Sequence, residues 1–109
     1  MNDNSTIFRK GRTRPNRGKL KSFGELPLDA QTAFTKIKKE LNSLLGDDRN
    51  IYVHGSFYWG FWDDESDYDV TVDWVDFDIR EVQNKLIEKF DTEINVGYDV
   101  HNDENIVIP

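Results

Sequence analysis

The sequence predicts an α+β domain, a small mixed β-sheet with helices packed on one face. Three observations point there. Two stretches space their apolar residues as helices do, three carry the short apolar or alternating runs of strands, and their order is helix, strand, strand, helix, strand. A chain of 109 residues is long enough for one core and too short for two. Its 37% hydrophobic content, with seven Phe, four Tyr and three Trp, can build that core.

Residues 1–25 are rich in Gly, Pro, Asn and Arg without periodicity and read as a basic irregular arm, leaving residues 26–109 as the body. In "LPLDAQTAFTKIKKELNSLLGDD", Asp29 is placed to cap a helix and Gly46 to end it. Ala30, Phe34, Ile37, Leu41, Leu44 and Leu45 form its inward stripe. "NIYVHG" predicts a short buried strand ending at Gly55, and Ser56 to Trp62 a short helix or helical turn. "SDYDVTVDW" alternates: Tyr68, Val70, Val72 and Trp74 face one way, and Asp67, Asp69, Thr71 and Asp73 the other. Asp78, with Glu81 three residues on, opens a second helix, "IREVQNKLIEKF", whose Val82, Leu86 and Phe90 point inward. "EINVGYDVHN" reads as another strand and "NIVIP" as an edge strand.

With no cysteine, the chain has no disulfide scaffold, no thiolate metal site and no Cys nucleophile. "MNDNSTIFRKGRTRP" lacks the apolar core of a signal peptide, and no run approaches the length of a membrane span, so a cytoplasmic protein is expected. The net charge of −7 is unevenly spread. Residues 1–22 hold Arg9, Lys10, Arg12, Arg14, Arg17, Lys19 and Lys21 against Asp3 alone, so the body is strongly acidic. Such an arm either offsets the body's charge or contacts the phosphates of a nucleotide or nucleic acid.

The densest chemistry lies in "GSFYWGFWDDESDYDV", residues 55–70. Side chains two apart on a strand project together, so Asp67 and Asp69 leave the same face. Paired carboxylates repel unless a cation lies between them, and Mg²⁺ suits such hard oxygen ligands, keeping other positions for water and substrate phosphates. Gly55-Ser56 closes a strand, and its free backbone N–H groups and hydroxyl offer an anion site.

Gly55-Ser56, a nine-residue gap, then Ser66-Asp67-Tyr68-Asp69-Val70 resembles the signature of the polymerase-beta-type nucleotidyltransferase superfamily, in its minimal nucleotidyltransferase branch. The likeness covers about residues 50–100 and implies that superfamily's palm-like fold. It also implies a third carboxylate on a neighbouring strand, which Asp99 in "VGYDVHN" matches in position and pattern. Asp67, Asp69 and Asp99 would then hold Mg²⁺ (or Mn²⁺), with Asp99 helping to lower the acceptor hydroxyl's pKa. Gly55, Ser56 and Ser66 would bind the nucleotide's phosphates. The implied reaction moves a nucleoside monophosphate, AMP first among them, from a nucleoside triphosphate such as ATP to a protein or RNA hydroxyl and releases pyrophosphate. A toxin–antitoxin-type partner follows from family analogy alone.

Family members often carry basic residues in the turn after Gly-Ser, where this chain has Phe57, Tyr58, Trp59, Gly60, Phe61 and Trp62. The aromatics read as core, Asp63, Asp64 and Glu65 as a solvated turn, and His54 and His101 as structural histidines. Asp73 shares the face of the acidic pair but lies further from Ser56. The alternative to an enzyme is a non-catalytic module of the same fold that binds nucleotide, nucleic acid or a protein partner.

Overall fold

A computed structural model describes residues 18–63, 66–98 and 106–109. The helices and strands arise where the residue pattern demands them, with instructive differences at their ends. Helix α1 (Leu28–Leu45) begins directly after Pro27, whose φ of −54° already suits a helix start. Asp29 therefore lies inside the first turn rather than capping it, where its charge still complements the helix dipole. Gly46 ends α1 in the left-handed conformation, as expected. Of the predicted stripe, Ala30, Phe34, Ile37 and Leu41 are buried, while Leu44 and Leu45 are partly covered.

Strand β1 (Ile51–His54) runs into the five-residue helix α2 (Gly55–Trp59), and β2 (Tyr68–Val72) follows. Helix α3 (Ile79–Phe90) opens at Asp78, whose side chain accepts the Glu81 N–H at 3.2 Å, and leads to β3 (Ile94–Tyr98). The short β4 (Ile106–Val107) completes a four-stranded sheet in the order β3-β2-β1-β4. β1 pairs antiparallel with both β2 and β4, whereas β2 and β3 are parallel, joined through α3. This is the expected α+β architecture with a mixed sheet.

One face of the sheet presents Ile51, Val53, Tyr68, Val70, Val72, Ile94 and Val96, all buried against Phe34, Ile37 and Leu41 of α1 and Val82, Leu86 and Phe90 of α3. Burying side chains of this size contributes about 1.5–3 kcal/mol each. The aromatic run divides. Phe57, Tyr58 and Trp62 enter the core as predicted, but Trp59 and Phe61 remain exposed. Phe57 stacks between Trp62 and Tyr68, at centroid separations of 5.7 and 5.3 Å, and Phe34 meets both Phe57 and Tyr68 edge-on.

The end of the predicted arm is tied to this body. Leu20 is buried and donates its N–H to the Tyr58 carbonyl at 2.7 Å, while the Lys19 ammonium lies over the Tyr58 and Trp59 rings. Residues 23–25 form a 3-10 turn where irregular chain was expected.

Trp74 was expected inward, yet it is exposed, because β2 ends at Val72. Its ring and carbonyl instead serve Arg49, a buried cation absent from the sequence reading. The Arg49 guanidinium donates to Asp47 at 2.7 Å, Asp76 at 2.6 Å and the Trp74 carbonyl at 3.3 Å, flanked by the Trp74 and Phe77 rings. Both carboxylates are about half exposed and can rehydrate if the cation is removed. Arg49→Ala should therefore cost about 1–3 kcal/mol, less than breaking a fully buried pair, and be visible as a lower denaturant midpoint.

Candidate active site

The face of the sheet opposite the helices carries Tyr52 and His54 from β1, Asp69 and Thr71 from β2, and Asn95 and Gly97 from β3. Asp67, immediately before β2, joins them because Tyr68 between the two acids is buried on the other side. Thr71 is buried on this face, so it is not uniformly solvated. His54 pairs with Asp69 across the antiparallel ladder, and Asn95 with Asp69 across the parallel one.

Asp67 and Asp69 converge. The side-chain nitrogen of Asn95 donates to Asp69 Oδ1 at 2.7 Å and to Asp67 Oδ2 at 3.1 Å. Among the described residues no lysine or arginine pairs with either carboxylate. Burial, together with the charge of Asp67, holds the Asp69 carboxyl above the ordinary carboxylate range; the Asn95 hydrogen bond and His54 pull the other way. The two acids are a suitable donor pair for a hard divalent cation, which takes one or two protein carboxylates and completes its shell with water and phosphate. Among the described residues no cluster of three acidic, histidine or cysteine side chains forms around them.

Gly55 sits against this pair. Its φ of 66° turns β1 into α2, and a Cβ there would lie 1.8 Å from Asp69 Oδ2. No other residue type fits without displacing the carboxylate. Ser56, the next residue, is half-buried. The Ser66 hydroxyl is engaged within its own turn, accepting the Asp63 N–H at 2.8 Å and donating to Asp63 Oδ1 at 3.3 Å. Asp73 accepts the Tyr52 hydroxyl at 3.3 Å, further along the sheet.

Asp99 and His101, like Asp64 and Glu65, lie outside the described residues. The β3 residue that faces the acidic pair is Asn95, which the sequence reading missed. His54, read as structural, stacks on Tyr58 at 6.4 Å, yet its Nδ1 is buried with no hydrogen-bond partner among the described residues.

Gly46 shares the positive φ of Gly55, but a Cβ there meets nothing within 4 Å. Gly46→Ala should cost about 1–2 kcal/mol of backbone strain. Gly55→Ala should cost about 1–3 kcal/mol more through the collision with Asp69, as read by urea unfolding. The raised Asp69 pKa also fixes a sign. The folded state holds the proton more tightly than the unfolded chain, so this residue's contribution to stability falls as pH rises from about 3.8 through the folded pKa. Asp69→Asn should unfold at a higher temperature than the parent at pH 7, with the gap closing as the pH approaches 3.8.

Neither the curated proteins nor the solved structures compared with this chain give a match. The family described as the nucleotidyltransferase domain matches residues 34–106, which include most of α1 and all of β1, α2, β2, α3 and β3. A small α+β fold with Gly-Ser after the first strand and paired aspartates at the start of the second accords with that match: the chain belongs to the polymerase-beta-type nucleotidyltransferase family, in its minimal branch.

Proposed function

We propose that the protein transfers a nucleoside monophosphate, with AMP from ATP as the first candidate, to a hydroxyl of a protein or RNA, releasing pyrophosphate. The observation that carries this reading is the convergence of Asp67 and Asp69 beside Gly55, with no cationic side chain paired to either acid among the described residues. Family membership supports nucleotidyl transfer in general.

In this reading Asp67 and Asp69 hold Mg²⁺ or Mn²⁺, which when bound would neutralise charge on the triphosphate and on the attacking and leaving oxygens. Gly55 makes room for the Asp69 carboxylate beside the bend, and Gly55 and Ser56 contribute backbone N–H groups and the Ser56 hydroxyl to the phosphates. Ser66 acts by closing the turn that leads into Asp67. Asp99 is the candidate for accepting the proton of the acceptor hydroxyl. The new bond joins that hydroxyl oxygen to the α-phosphorus, and the bond between the α-phosphorus and the β-bridging oxygen breaks. The basic residues before Gly18 are candidates for contacting the triphosphate or an RNA acceptor, since the turn after Ser56 supplies no basic side chain.

That aromatic turn, and an asparagine rather than an acid facing Asp69, also motivate a second reading: a module that binds nucleotide without turning it over. Nucleotides labelled at the α-phosphate, supplied with Mg²⁺ and a cell extract, separate the two. Transfer predicts a labelled macromolecule and pyrophosphate release. Asp67→Asn and Asp69→Asn should each lower that release by about 10²-fold or more while the fold persists. Nucleotide binding with neither label nor pyrophosphate would favour the module.

A further inference from the structure

Asn95 occupies an unusual position: one exposed amide satisfies two carboxylates at once. Ionised carboxylates only accept hydrogen bonds, so the atom that meets them is the NH₂ group, which has one hydrogen for each. The amide nitrogen thus stands on the side of the acidic pair where a shared cation would be attracted. Its carbonyl oxygen, Oδ1, is the kind of neutral oxygen that hard divalent cations accept as a ligand. The two ends of the amide exchange places by half a turn about one side-chain bond. Exposure of Asn95 on the edge strand β3 leaves that rotation unopposed by packing.

We propose that Asn95 is a two-position ligand of the cation site. Without a cation, Nδ2 bridges Asp67 and Asp69 and holds them together; with a divalent cation, the amide rotates and presents Oδ1 to it. This inference deepens the proposed site and rests on Asp67 and Asp69 taking a divalent cation. It has a chemical consequence. Each binding event must break the two charge-assisted hydrogen bonds from Asn95 to Asp67 and Asp69. The bare site is therefore weak, and cation affinity rises when a triphosphate brings further oxygens.

The test needs no nucleotide turnover. Mn²⁺ is titrated into the full chain and into its Asn95→Asp and Asn95→Leu variants without nucleotide, and free Mn²⁺ is followed by electron paramagnetic resonance. A parallel Mg²⁺ titration of the parent follows the Asn95 side-chain NH₂ signals by ¹⁵N-resolved NMR. Asn95→Asp should bind Mn²⁺ at least about tenfold more tightly than the parent, having gained a charged ligand. Asn95→Leu should bind at least about tenfold more weakly, having lost Oδ1. The Asn95 NH₂ signals should move with the Mg²⁺ binding midpoint. Mn²⁺ binding by Asn95→Leu as tight as the parent's would show an amide that only obstructs the site, and would overturn the proposal. So would NH₂ signals that stay fixed through saturation, or a parent chain that takes up no Mn²⁺. Pyrophosphate release by the parent, measured alongside, keeps the two ideas separable: release with unmoved Asn95 signals sinks the rotation and leaves transfer standing.

Discussion

The site depends on where Tyr68 goes. Its ring stacks on Phe57 and receives the edge of Phe34, which fixes one side chain of β2 in the core. Strand geometry then leaves its neighbours no choice, because alternate residues face opposite ways. Asp67 and Asp69 are turned to the open face by the same contact that buries Tyr68. Phe57, two residues after Gly55, belongs to that cluster, so the aromatic packing also fixes α2 and the bend before it. Phe57, Tyr58 and Trp62, the buried aromatics between Gly-Ser and the acidic pair, are therefore structural spacers. They set the relation of the Gly55-Ser56 bend to the pair of carboxylates.

Stability and chemistry pull in opposite directions at this point. Drawing Asp69 under Gly55 and beside Asp67 raises its pKa, which is a cost to the folded state at neutral pH. Asn95 offsets part of that cost by hydrogen bonding. A sheet built only for stability would place Thr or Val in those positions. Arg49 provides a contrast near the opposite end of β1: its two acidic partners sit at ordinary hydrogen-bond distance, and its flanking rings complete a purely structural cluster.

Much of the fold was legible because it is written in local patterns. The stripe of α1, the Asp78 cap of α3 and the alternation around Tyr68 each need only a few consecutive residues to be seen. Trp74 was misplaced because the alternation continues past Val72, whereas the strand does not; Arg49 draws the Trp74 ring and carbonyl away, and that contact spans 25 residues. Asp29 was read as a cap because acids favour that position, but Pro27 starts the helix earlier. The acidic pair was legible for the same reason as the strand. Asn95 was not. Its place opposite Asp69 follows from the parallel register of β2 and β3, set by how α3 packs between them in sequence, and nothing near "EINVGY" announces it. The one available signal was its placement two residues before Gly97 on the polar side of a predicted strand.

The most direct test of the central claim, that Asp67 and Asp69 form one divalent-cation site beside Gly55, is a crystal structure with Mn²⁺ and a non-hydrolysable nucleoside triphosphate, read by anomalous scattering. A cation site of this kind predicts a manganese peak bridging the Asp67 and Asp69 carboxylates, with triphosphate oxygens completing its shell near Gly55 and Ser56. Nucleotide bound with no manganese between those acids, or with the two carboxylates turned apart, would contradict it.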